Sequence, residues 1–156
     1  MPNWCVGVLK VRGTKEEVKK FLLEGLSPLG GGLFGDEPVE AEIQEDEWEL
    51  NIRAKHGFHI EGSRRNFIEN NIDFYFDTDS DIKVCTISGY KAAWGLDTGA
   101  LVDLSTKYQV DLKIYAFERG MEYNHDFEVR KGVIEKNFEI KFDDYEWECI
   151  DPTIGG

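Results

Sequence analysis

The stretch after Gln109 constrains the fold most, because it alternates with a period of two three times over. Val110, Leu112, Ile114 and Ala116 alternate with Asp111, Lys113 and Tyr115. Tyr123, His125, Phe127 and Val129 alternate with Asn124, Asp126, Glu128 and Arg130. Phe138, Ile140 and Phe142 share one side of a third segment that begins near Ile134. Side chains along a strand point to opposite faces in turn, so each segment predicts a strand with one buried side. Glu118–Met121 and Lys131–Gly132 separate them. Strands joined by such short turns pair antiparallel, and the prediction is an antiparallel meander.

The front of the chain predicts a strand and then a helix. Residues 4–12 are rich in Val, Leu and Trp, as a strand buried on both faces would be. Gly13 ends it. Thr14, followed three residues on by Glu17, forms a capping box in which each side chain serves the other's backbone amide. Val18, Phe21 and Leu22 then fall on one helical stripe, which should stop near Gly25. The strand starts so close to Met1 that no secretory leader is expected, and the expected location is cytoplasmic.

Between the two regions the signals are shorter. Residues 27–38 (SPLGGGLFGDEP) predict a loop. Val39, Ala41 and Ile43, then Trp48, Leu50, Ile52 and Ala54, alternate with polar residues and predict a hairpin with one wet face. A short helix is expected from Gly62 through Ile68, with Ser63 as its N-cap. Ile72, Phe74 and Phe76 predict a strand, Asp77–Asp81 a turn, and Ile82–Tyr90 the partner strand. Asp97 or Thr98 can cap a second helix carrying Leu101, Leu104 and Tyr108. Residues 1–142 are read as one α+β domain with an inserted hairpin region at about 36–80. Residues 143–156 are read as an acidic surface tail.

Composition narrows the function classes. The net charge is −13. Such a field repels phosphate backbones and disfavours nucleic acid, while a basic protein surface is a complementary partner. Asp36–Glu49 holds eight acidic residues and no basic one, and Asp143–Asp151 holds five and none. Much of the first run is the wet face of the predicted hairpin. No apolar run approaches the roughly 18 residues of a membrane-spanning helix, so no membrane partner is expected. Cys5, Cys85 and Cys149 are scattered and form no CxxC pair, which points to reduced thiols.

No motif carries chemistry. His56 and His59 have the HxxH spacing, yet on a strand they point to opposite faces. Asp77, Asp79 and Asp81 resemble the start of a calcium loop, but Ile82 stands where a glycine is needed and Ser88 where a bidentate glutamate is. His125 shares the apolar register of its strand. Gly30–Gly32 lacks the lysine and hydroxyl of a phosphate loop. No catalytic residue, metal ligand or cofactor site is assigned. The candidate contacts are Arg64 and Arg65, a cationic pair in an acidic stretch, and Trp147 in the tail. Trp48 and Trp94 are assigned to the core.

One set of residues carries a resemblance. It comprises Pro2-Asn3-Trp4-Cys5, the strand–glycine–capped-helix entry, Lys91-Ala92-Ala93-Trp94, Leu104-Ser105-x-x-Tyr108, Phe117-Glu118-x-Gly120 and Gly132. This set resembles the YubB-type ferredoxin-like family of plasmid and phage proteins of unknown function. The resemblance implies a ferredoxin-like α+β fold, an antiparallel sheet with two helices packed on one face and an additional β-hairpin. It also implies a mobile-element protein without assigned catalytic residues. The combined expectation is a non-enzymatic, protein-binding adaptor. The alternatives are nucleic-acid binding on the sheet face and a carboxylate-based enzyme.

Overall fold

A computed structural model describes residues 1–156. The chain runs β1 (Trp4–Thr14), α1 (Lys15–Glu24), β2 (Leu26–Pro28), β3 (Glu42–Glu45), β4 (Glu49–Arg53), β5 (Phe58–Ile60), β6 (Asn66–Ile68) and β7 (Ile72–Tyr75). It continues with β8 (Ile82–Ala93), α2 (Thr98–Tyr108), β9 (Asp111–Glu118), β10 (Tyr123–Arg130), β11 (Val133–Lys141) and α3 (Tyr145–Glu148). Eight strands form one sheet in the order β11-β10-β9-β1-β8-β6-β5-β2, and β3-β4-β7 form a second. Every pairing in both sheets is antiparallel. No helix is long and apolar enough to cross a membrane.

This architecture corrects the ferredoxin-like expectation. The fold is mostly antiparallel sheet with three short helices, not a two-helix α+β sandwich with one added hairpin. The segment 36–80 makes the difference. Its first hairpin recruits β7 and becomes a separate sheet, while β5 and β6 extend the large sheet beside β8. β7 therefore does not pair with β8 as a hairpin. β8 pairs with β1 along its length and with β6 only at Tyr90–Ala92, while β7 closes on β4. The helix expected from Gly62 is also absent: Asn66–Ile68 pairs with β8 as β6. Ser63 caps no helix there, and its hydroxyl donates to Asp97 Oδ2 at 2.8 Å.

One face of the large sheet is dry. Cys5, Leu9 and Val11 of β1 lie beside Cys85, Ile87 and Tyr90 of β8 and Leu112, Ile114 and Ala116 of β9. They share a core with Val18, Phe21 and Leu22 of α1, with Leu101, Leu104 and Tyr108 of α2, and with Leu50, Ile52, Ile72 and Phe74 of the small sheet. At about 25 cal/mol per Å² of apolar area, this cluster is the main favourable term. Lys19 ties α1 to the small sheet through Glu45 at 2.6 Å, and that hydrogen bond raises the lysine's pKa.

The helix entries follow the sequence. Thr14 Oγ1 accepts from Glu17 N, and Glu17 Oε1 accepts from Thr14 N at 3.0 Å. Asp97 caps α2, accepting from Ala100 N. Two tryptophans leave the places assigned to them. Trp48 sits at the tip between β3 and β4, 51% exposed, its amide donating to Asp46 Oδ1. Trp94 has φ +60°, which turns it out of β8 to 66% exposure.

The tail is not a loose surface extension. α3 docks on the sheet through Tyr145 and Cys149, both buried. The Tyr145 hydroxyl donates to Asn124 Oδ1 at 3.1 Å. At the end of the chain, Gly156 N donates to Trp4 O at 2.9 Å.

Two measurements probe this fold. Thr14→Ala should lower stability by about 1 kcal/mol in urea unfolding at pH 7, as loss of a helix N-cap does. The backbone and side chain of Thr14 lower the Glu17 pKa from its ordinary 4.5. The stabilisation from this carboxylate is therefore present above 4.5 and fades as pH falls through the lowered pKa. Ala keeps the backbone amide, the larger cause, so only the side-chain part of the variant's deficit should shrink in acid. Cys5 and Cys85 are buried, and burial pushes their thiols up to about 12. At pH 8 both stay protonated, so a thiol-reactive dye should label them slowly in the folded protein and fully in guanidinium.

Candidate functional site

The opposite face of the large sheet carries no helix over its middle. Register decides which side chains stand there. Val6, Val8, Lys10 and Arg12 of β1 are opposite Phe117, Tyr115, Lys113 and Asp111 of β9. Asn124, Asp126, Glu128 and Arg130 of β10 continue the same rows, as do Ile140, Phe138, Lys136 and Val133 of β11. On the other flank, Val6 is opposite Lys91 of β8, which is opposite Phe67 of β6. With strands about 4.8 Å apart, eight of them make a platform on the order of 34 Å across.

The electrostatics of this platform differ from those of the whole chain. Lys10, Arg12, Lys91, Lys113, Arg130 and Lys136 outnumber Asp111, Asp126, Glu128 and Glu69, the last paired to Lys91 at the flank. The acids serve as braces. Arg12 meets Asp111 at 2.7 Å, Arg130 and Lys113 meet Glu128 at 3.2 and 3.8 Å, and Lys136 meets Asp126 at 3.8 Å. Glu128 is buried, and its two cations compensate the cost of taking a carboxylate out of water. Lys10 is exposed and has no acidic partner within 4.0 Å.

Aromatic rings stand among these charges. Tyr115 and Phe117 meet edge to face, with centroids 5.3 Å apart. Tyr115 is 37% exposed, and its hydroxyl accepts from Asn124 Nδ2 at 3.2 Å. Phe138, on β11, is 59% exposed. Val8, Lys10, Lys113, Tyr115 and Phe117 line a shallow depression of about 340 Å³. Toward the other edge, Lys91 Nζ lies 4.4 Å from the Trp4 ring, a cation–π contact. Trp4 in turn meets Phe67 edge to face at 6.1 Å. α3 and the tail cover only the end of the face, near Asn124 and Trp4.

The residues singled out from sequence lie around this platform rather than at its centre. Arg64 is exposed and lines an open depression with His59, Ser63 and Phe67, at the far flank of the same face. Arg65 is used structurally, donating from Nη1 to Ala93 O at 3.3 Å. The two arginines therefore do not converge. Trp147 is 85% exposed on α3. His56 and His59 do not meet: His56 precedes β5 and is exposed, whereas His59 stands on the open face opposite Phe67. Asp77–Asp81 is an exposed link between the two sheets. His125 is buried, and its Nε2 lies 2.6 Å from Asn137 Oδ1. No three His, Cys, Asp or Glu side chains gather to hold a metal ion.

Lys10, Lys113 and Tyr115 are residues that sequence reading did not single out, and Phe138, expected with Ile140 and Phe142 on a buried side, is instead exposed on the open face. The alternation of β9 already put Lys113 and Tyr115 on its wet side. Nothing local says that the wet sides of β1, β9, β10 and β11 are one surface, since that follows only from strand order. Comparison with family models, curated proteins and solved structures finds no match to this chain, and the resemblance read from its motifs rests on those motifs.

Proposed function

We propose that the protein is a non-enzymatic binding module whose open sheet face takes single-stranded nucleic acid. The observation that carries this reading is the local inversion of charge, a cation-rich platform bearing exposed rings on a chain of net charge −13. Single strands are held by a positive groove that follows the phosphates and by aromatic rings on which bases stack. Lys10, Lys113 and Arg12 supply the first element, and Tyr115 and Phe138 the second. The remote acids weigh little there, because at physiological salt charges are screened beyond about 8 Å. The free thiols support a reducing, cytoplasmic setting.

A second reading has its own observation. The outer surface of the small sheet carries Glu42, Glu49 and Asp73, with Trp48 and Tyr75 exposed beside them. Acidic side chains around exposed rings suit a basic protein partner, and complexes of that kind weaken as salt rises.

Fluorescence anisotropy with labelled oligo-dT and oligo-U tests the leading reading. Binding should weaken steadily with added salt, as counterion release requires. The double variant Lys10→Glu/Lys113→Glu should lose affinity about tenfold or more at low salt. Tyr115→Ala should lose about 1–3 kcal/mol of binding, the range for one stacked base. No binding at 50 mM salt, or equal binding by the double variant, overturns the reading. A lysine-rich peptide released by Trp48→Ala and Tyr75→Ala, with oligonucleotide binding absent, would favour the small sheet instead.

A further inference from the structure

The large sheet ends in an uncovered strand. β11 is nine residues long, and all of them except Ile140 are exposed. Its outer edge has no neighbour in the sheet. At about 3.4 Å per residue the free edge runs roughly 30 Å, with alternate backbone N–H and C=O groups pointing outward. Native sheets blunt such edges by shortness, proline, charged side chains, a bulge or a covering element, and β11 carries a bulge at Glu135 and the charges of Glu135, Lys136, Glu139 and Lys141. β11 has no proline, and the chain after it turns inward toward Trp4, away from the edge. Val133, Ile134 and Phe138 are exposed along it.

We infer that β11 pairs antiparallel with β11 of a second copy, joining two eight-stranded sheets edge to edge. The sequence of the strand is complementary to itself in a register that uses residues 135–141, whereas one centred on Ile140, which also opposes Glu139 to Lys141, pairs only residues 139–141 of β11. Centred on Phe138, the pairing sets Phe138 against Phe138 of the second copy, Asn137 against Glu139, Lys136 against Ile140, and Glu135 against Lys141. The two-fold axis repeats each off-centre pair, so two Glu135–Lys141 pairs form. Registers centred on Lys136 or Glu139 put like charges on the axis, and one centred on Asn137 opposes Glu135 to Glu139. Like charges directly opposite destabilise a strand pair, while aromatic and opposite-charge pairs stabilise it. Lys136, Phe138 and Ile140 share the open face by strand alternation, and the bulge on β11 falls at Glu135, the end of the paired stretch.

The axis is perpendicular to the sheet, so both open faces point the same way. The dimer would present one continuous platform, with the two Phe138 rings at its seam. This inference needs no nucleic acid and stands apart from the function proposed above.

Sedimentation equilibrium of the full chain without ligand tests it. Wild type should show twice the monomer mass at tens of micromolar, and Phe138→Asp, which puts two carboxylates on the axis, should shift the dimer constant at least about tenfold toward monomer. Glu135→Lys and Lys141→Glu should each weaken the dimer, and the double exchange should restore it. Circular dichroism confirms that each variant is folded. A wild type that stays monomeric at several hundred micromolar overturns the inference. So does a dimer unmoved by Phe138→Asp, or single charge reversals that the double exchange fails to rescue.

Discussion

Everything in this fold hangs on β1 being hydrogen-bonded along both edges. β8 takes one side and β9 the other, over ten and seven paired residues. The first strand of the chain thereby becomes an inner strand of the large sheet, and the elements that follow must be placed around it. Gly7 shows how tightly the strands meet. A Cβ there would lie 2.3 Å from Tyr115 O, beside the register shift between Gly7 and Leu9. A larger residue would have to move the β9 backbone, so the close approach depends on the absence of a side chain.

That double pairing divides chemistry between two faces. Cys5, Leu9 and Val11 go under α1, α2 and the small sheet, while Val8, Lys10 and Arg12 stay on the other side. The small sheet does the work that a larger helical layer would otherwise do. Leu50, Ile52, Ile72 and Phe74 cover core that two helices of ten and eleven residues leave uncovered. It also carries much of the acidic run outward. Glu42 and Glu49 stand on the outer side of the small sheet, since Leu50 beside Glu49 turns inward and is buried, while Ile43 beside Glu42 is on the inner side but half exposed. The net charge thus says little about the large sheet's open face.

Local signals gave the elements that local chemistry determines. Thr14 and Glu17 close their capping box within three residues, and Asp97 reaches the amide of Ala100, so both helix starts were legible. The meander was legible because its turns are short and its alternation is long. In the segment 36–80 the β3–β4 hairpin was legible, but the remaining pairings were not, because those strands are three to five residues long and their partners lie far away in sequence. Phe58 pairs with Ile68 in the large sheet, while Leu50 pairs with Phe74 in the small one. The same period-two pattern serves both sheets and cannot choose between them. The resemblance to a ferredoxin-like family failed here as a guide to architecture, since its quoted residues lie outside this segment.

The candidate face was illegible for a related reason, and the tail shows it most clearly. Five acidic residues made Asp143–Asp151 read as a solvated extension. Tyr145 and Cys149, four apart, instead put one side of a single helical turn against Asn124. Asn124 is a buried side chain on the otherwise polar side of β10, and without α3 it would lose the Tyr145 donor and the Cys149 contact. A hydrogen bond of this kind contributes about 0.5–1.5 kcal/mol net, so the tail is held by its bonds to Asn124 as well as by the burial of Tyr145. The acids of α3 need only point away, as Glu146 and Glu148 do. The tail therefore ends on the backbone of Trp4, at the rim of the cationic platform, and leaves Lys10, Lys113 and Tyr115 uncovered.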